Sequence, residues 1–211
     1  MEDVLAVYGR PYDPKRPVIC LDEIQKALRS TPRGEIPLQA GQPTREDYEY
    51  KRAGKCSLFL AVEPLAGFRK VWVYNQRRKL DFAEVLQALI DEVYAEADQI
   101  VLVVDNLNIH HAAALYERFP PDQARRLAAK IEWHYTPEHA SWLNIAECEL
   151  SVLRRQCLRR RVADIETVAS NTAAWETTRN QRQVGVDWRF TTADARIKLK
   201  RLYPIVNVQE I

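Results

Sequence analysis

Ile100-Val101-Leu102-Val103-Val104-Asp105 is a run of five aliphatic residues closed by an acid. Continuous rather than alternating hydrophobicity marks a strand buried on both faces, as in a sheet covered by helices on either side. Upstream, Pro17-Val-Ile-Cys-Leu-Asp22-Glu23 has the same form, a short apolar run after a proline that ends in acid. Residues 57–62 and 68–74 are two further strands. The Glu-Pro-Leu-Ala-Gly segment between them is a tight hairpin connection, because Pro64 and Gly67 both favour a turn. Residues 130–135 supply a fifth strand.

The helices lie between and after these strands. Residues 80–96 carry Phe82, Val85, Leu86, Leu89, Ile90 and Val93 at helical spacing, so that one stripe faces the sheet. Residues 111–129 form one or two helices broken at Pro120-Pro121. A helix starting at Ser141 or Asn144 is expected to reach Arg161, another covers 164–182, and the segment with Trp188, Phe190, Ile197, Leu199 and Leu202 packs back as a short helix. Residues 1–16, with Pro11 and Pro14, read as a linker, residues 29–55 as an irregular insertion, and residues 205–211 as a tail around a single domain over 17–204. The order is three strands, helix, strand, helix, strand, helix. That is the element order of the ribonuclease-H-like α/β fold, a mixed five-stranded sheet flanked by helices.

Composition narrows the class. The chain has 211 residues, 46% of them hydrophobic and 28% charged, as expected of one globular domain. No apolar run is long enough to span a bilayer, and Met1–Pro14 has no basic and apolar pattern of a secretion signal. A cytoplasmic setting follows as the expectation. Cys20, Cys56, Cys148 and Cys157 show no metal-ligand spacing and read as reduced thiols. The net charge of +2 conceals an asymmetry: residues 154–201 hold twelve Arg and Lys against five Asp and Glu. An acidic body with a basic C-terminal third suits a protein that holds cations in one place and phosphates in another.

Asp22 ends the first strand and Asp105 the fourth. If those strands are parallel neighbours, their carboxyl ends set the two aspartates side by side, at the edge where open α/β sheets bind ligands. A third carboxylate from the following helix would complete a cluster whose mutual repulsion is relieved by a divalent cation. Two glutamates compete for that place. Glu147 and Glu149 flank the apolar stripe Leu143, Ala146, Leu150, Leu153, Cys157 at about equal angles, and Asn144-x-x-Glu147 also has the form of a helix capping box. Glu23 points to the opposite face from Asp22 and is left out of the cluster.

Three motifs carry a resemblance. Leu102-Val-Val-Asp105-Asn106 with His110 is similar to the second catalytic motif of the mariner-like superfamily of DDE transposases. Tyr135-Thr-Pro137-Glu-His139-Ala-Ser-Trp-Leu143-Asn144-Ile-Ala-Glu147 is similar to the third, and Val18-Ile-Cys-Leu-Asp22-Glu23 to the first. The likeness is closest to the bacterial insertion-sequence branch and extends through residues 48–66 and into 186–199.

The resemblance implies a metal-dependent endonuclease and strand transferase for cut-and-paste transposition. Asp22, Asp105 and Glu147 would be the catalytic metal ligands, with Glu149 demoted, holding Mg²⁺ or Mn²⁺, two ions in all. The expected partners are DNA (the terminal inverted repeats and a target, commonly TA) and a second copy of the chain. Residues 29–55 correspond to a clamp-like loop. About twenty residues precede Asp22, so the family's helix-turn-helix region is expected on a separate chain or lost, which leaves an inactive or regulatory remnant as the alternative, beside another ribonuclease-H-like nuclease. Asn106, His110, Arg154, Arg155, Arg159, Arg160 and Arg161 are candidate DNA contacts. The protein is then expected in the bacterial cytoplasm, at the nucleoid when bound to DNA. His111, His134 and His139 read as structural.

Overall fold

The computed structural model describes residues 1–32, 41, 49–138 and 140–203. His139, most of the expected insertion (33–40 and 42–48) and the expected tail lie outside the described residues. Five strands form one sheet in the order β3-β2-β1-β4-β5, from β1 (Val18–Ser30), β2 (Lys51–Glu63), β3 (Phe68–Tyr74), β4 (Ile100–Val104) and β5 (Ile131–Tyr135). β2 runs antiparallel to both of its neighbours, β1 and β3, whereas β4 runs parallel to both β1 and β5. The sheet is therefore mixed, and β1 and β4 are the parallel neighbours on which the side-by-side placement of Asp22 and Asp105 depends, although β1 runs on to Ser30 and Asp22 lies within it rather than at its end.

Each face of the sheet has its own core. Alternation along β1 sends Cys20 to one face and Ile19 and Leu21 to the other. The first face is covered by α5 (Ile145–Gln156), which buries Ala146, Leu150 and Leu153, and by α6 (Ile165–Gln181). The second is covered by α2 (Lys79–Ala88), α3 (Ala113–Arg118) and α4 (Pro121–Ala129), through Phe82, Leu86, Leu115 and Leu127. All five side chains of β4 are buried, each stabilising the fold by roughly 1.5–3 kcal/mol relative to exposure. Among the described residues no helix is long and apolar enough to cross a membrane.

The structure corrects several boundaries. Residues 1–16 are more than a linker: α1 (Glu2–Tyr8) buries Val4, Leu5, Val7 and Tyr8 against the first core. Both strands flanking the insertion run further than expected, β1 to Ser30 and β2 from Lys51, so that residues 29–30 and 51–55 belong to a paired ribbon. The expected helix over 80–96 is shorter: after α2 a single π-helical turn, Leu89–Val93, ends it. Likewise α5 stops at Gln156, which leaves Arg159, Arg160 and Arg161 in the following turns. Last comes α7 (Thr192–Lys198), with Thr191 and Asp194 forming a reciprocal cap.

Candidate active site

The sheet brings Asp22 and Asp105 together. β1 and β4 pair in parallel with Val18 opposite Val101 and Cys20 opposite Val103. Carried two positions further, the same register sets Asp22 level with Asp105. Asp22 is buried, and its Oδ1 accepts the Glu23 amide at 2.7 Å. Asp105, just past the end of β4, is partly open and borders a cleft with Asn106, Thr136, Pro137 and Ser141.

The third element is delivered by Asn144, whose side chain is fully buried. Its Oδ1 caps α5 by accepting from Ala146 N at 3.1 Å, while its Nδ2 donates to the Leu21 carbonyl at 3.0 Å. One side chain thus starts the helix and ties that start to the residue before Asp22. The reciprocal Glu147 half of the expected capping box does not form, and Glu147 is left exposed in the first turn of α5. Its charge acts on Asp22.

Glu149, two residues on, has a different fate. It is buried, accepts from Arg179 Nε and Nη2 on α6 at 3.0 and 2.8 Å, and lies 3.2 Å from Nε of the fully buried Arg69 on β3. Two guanidinium groups neutralise it on the far side of the helix. The structure therefore distinguishes the two glutamates that periodicity leaves equivalent.

His110, one of the candidate DNA contacts, lies in the loop between β4 and α3. It is 0% exposed, and its ring packs on Phe82 at 4.7 Å between centroids. Nε2 is 2.8 Å from Glu23 Oε2, and Nδ1 is hydrogen-bonded to Asp105 Oδ1. Glu23 also receives Arg77 Nη1 at 3.1 Å. Glu23 does point to the face opposite Asp22, and there it holds the histidine that holds Asp105. Sequence periodicity gives no sign of this, because the loop that returns His110 beneath β1 is irregular.

Burial drives the electrostatics. It pushes the Asp22 carboxyl up to about 7; the Glu23 amide opposes this, and the charges of Glu23, Asp105 and Glu147 add to it. Burial works against the His110 imidazolium too, but its bonds to Asp105 and Glu23 outweigh that and push it up to about 9. The same histidine outweighs burial at Asp105 and holds that carboxyl below its ordinary value.

With Asp105 turned to His110 and Asp22 to its neighbouring amide, no three His, Cys, Asp or Glu side chains among the described residues are gathered closely enough to hold an ion. The donor set nevertheless fits a hard divalent cation. It consists of carboxylate oxygens, one of them buried and raised chiefly by that burial with like charges adding to it, and a cation favours the charged form directly.

The remaining candidates divide. Asn106 is exposed at the cleft beside Asp105. Arg154 and Arg155 occupy the last turn of α5, and with Arg159, Arg160 and Arg161 they line a groove against residues 24–29 of β1. Lys26 closes the floor by donating to the Leu158 and Arg160 carbonyls at 2.6 and 2.8 Å. Among the described residues the guanidinium groups of Arg154, Arg155, Arg159 and Arg160 have no hydrogen-bond or ion-pair partner. His134 bridges Asp3 and Glu132, at 2.7 and 2.9 Å, which is the structural role expected of it.

In fold the chain is similar to solved Mos1 mariner transposase chains. It matches the Mos1 mariner paired end complex with Mn at 17% identity and a TM-score of 0.53, over 86% of this chain and 55% of that one. A pre-cleavage Mos1 transpososome matches at 16% identity and 0.53, over 88% and 60%. The Mos1 strand transfer complex matches at 16% and 0.53, over 86% and 54%. The chain thus spans little more than half the length of those proteins, and the likeness establishes a shared fold, the ribonuclease-H-like sheet with its helices. No curated protein sequence matches. A family model, the DDE superfamily endonucleases, matches residues 17–169, with Asp22, Asp105 and Glu147 all inside the matched span. By that match over most of its length, the chain belongs to the DDE superfamily endonucleases.

Proposed function

We propose that the chain is the catalytic domain of a DNA transposase, in which Asp22, Asp105 and Glu147 hold two Mg²⁺ or Mn²⁺ ions. The observation that carries this reading is the parallel register of β1 and β4, which sets Asp22 level with Asp105, together with the Asn144 bond to Leu21 that ties down the start of α5, with Glu147 in its first turn, while the neighbouring Glu149 is consumed by arginines. Divalent cations in such a site supply Lewis-acid charge to the scissile phosphate. The residues of the chain supply the rest: Asn144 fixes Glu147 relative to Asp22, Asp105 opens onto the cleft, and Asn106 is exposed there to meet a phosphate or base edge.

DNA is the substrate that suits the surroundings. The groove lined by Arg154, Arg155, Arg159, Arg160 and Arg161 presents guanidinium groups suited to phosphate contact. Both of its walls lead back to the site: β1 passes from Asp22 into residues 24–29, and α5 from Glu147 to Arg155. One solved protein of related fold is a Mos1 transposase paired-end complex with the left transposon end. On the same basis we assign this chain terminal inverted repeats and a target as substrates, a second copy as partner, and end recognition to a helix-turn-helix region on another segment or chain.

The test is Mn²⁺-dependent nicking of supercoiled plasmid, followed by joining of a pre-cut 3′-hydroxyl end to a target. Wild type is expected to perform both, and Asp22→Asn, Asp105→Asn and Glu147→Gln neither, with melting curves showing that the variants fold. Nicking without joining would assign the chain to hydrolytic nucleases. Nicking retained in all three variants would remove the triad.

A further inference from the structure

Both nitrogens of His110 are occupied by carboxylates from different elements, Glu23 on β1 and Asp105 after β4, and the imidazole itself is inaccessible to solvent. This arrangement is costly to assemble. It buries a glutamate and a histidine under Phe82 where aliphatic residues would pack, and it draws Arg77 onto the outer oxygen of Glu23. A purely structural ion pair would not need the third member, since Arg77 already satisfies Glu23.

We infer that Glu23 and His110 are positioning residues for the metal site, a buried relay that fixes which way the Asp105 carboxylate faces. Glu23 Oε2 anchors one ring nitrogen, and this sets the ring plane. The other nitrogen then takes Oδ1 of Asp105, which also accepts the Leu107 amide at 3.2 Å. With Oδ1 held on the protein side, Oδ2 is the oxygen left for an ion. Carboxylates behind metal ligands act in this way, and their removal commonly weakens metal binding by ten- to a hundredfold. Arg77, half-exposed, bonds the other oxygen of Glu23, Oε1, and stands outside the relay.

The inference rests on the proposed metal-holding role of Asp105, and the experiment separates the two. Mn²⁺ affinity is measured directly, by counting free Mn²⁺ in electron paramagnetic resonance spectra, for wild type, Glu23→Gln, His110→Gln, the double variant and Arg77→Gln, each checked for folding by its melting curve. Glu23→Gln keeps the size and shape of the side chain and is expected to lower affinity about tenfold. His110→Gln is expected to do at least as much, with the double variant no worse than the worse single change, as required of residues that act through one path. Arg77→Gln is expected to leave affinity unchanged or to tighten it, because it removes a cation near Asp105.

Affinity within twofold of wild type in a folded Glu23→Gln would overturn the relay while leaving the metal site standing. So would loosening by Arg77→Gln equal to that by Glu23→Gln. Absence of Mn²⁺ binding by wild type itself would overturn both. If His110→Gln fails to fold, Glu23→Gln and Arg77→Gln still decide the matter.

Discussion

Arg179 grips Glu149 across two helices: Nε and Nη2 both donate to Oε1, and Nη2 also reaches Oε2 at 2.9 Å. Arg69, with no exposed surface, leans on the same carboxylate. Removing Glu149 leaves the buried Arg69 and the partly buried Arg179 without that counter-charge. Breaking a buried pair from one side costs about 3–5 kcal/mol. Glu149→Gln is therefore expected to lower unfolding free energy in urea by that order, whereas Glu147→Gln, on the exposed side of the same helix, changes it by less than about 0.5 kcal/mol. Equal effects at the two positions would contradict the division of roles between them.

Asp22 weakens the metal-free fold. Its carboxyl lies at about 7 in the folded protein against an ordinary 3.8, chiefly through burial. Between those values the native state holds a proton that the unfolded chain has released, so stability is full at low pH and declines as pH rises through 7. Asp22→Asn removes this penalty and keeps an oxygen to accept the Glu23 amide. In EDTA it is expected to match wild type near pH 3, below the ordinary carboxylate value, and to exceed it at pH 8, by on the order of 2–4 kcal/mol. A variant less stable than wild type at pH 8 would refute this account of Asp22.

Mn²⁺ should reverse the penalty. An ion bound at a hundred times its dissociation constant adds about 2.7 kcal/mol to stability, and binding displaces the Asp22 proton, so the gain is larger at pH 8 than at pH 6. Thermal melts with and without Mn²⁺ are expected to show this in wild type but not in Asp105→Asn. A shift of the same size in both would place the ion elsewhere.

Gly67 closes the turn between β2 and β3 with φ +65°, and a Cβ there would come within 2.5 Å of the Gln183 backbone. The segment after α6 is thereby pressed against this hairpin, where Val186 N also bonds the Pro64 carbonyl at 2.8 Å. Gly67→Ala combines backbone strain with a clash against main chain, and is expected to destabilise by more than about 1 kcal/mol in urea unfolding. Unchanged stability would mean that this contact gives way freely.

What the sequence reveals depends on how local the signal is. Continuous aliphatic runs identify β4 and the start of β1, because a strand covered on both faces has no other composition. The Pro120-Pro121 break correctly divides α3 from α4. By contrast, α1 is missed because seven residues next to two prolines give too short a period, although Val4, Leu5 and Val7 are buried by distant elements. The outer halves of β1 and β2 carry exposed, charged residues and hold together by pairing with each other, which single-strand composition does not record. At the site, Asp105 is legible as the acid that ends β4, and Asp22 as the acid that closes an apolar run, although β1 continues past it as a paired ribbon. The partners of Glu23, His110 and Asn144 are not, since each is set by a contact between residues far apart in sequence.

The bond from Asn144 to the Leu21 carbonyl joins residues separated by most of the domain. A chain still emerging from the ribosome, or one that has frayed at either end of that span, has the acids but not their juxtaposition. Completion of the fold thus acts as a safety catch. If the chain cuts DNA as proposed, its site exists only after the last of these separated segments has docked.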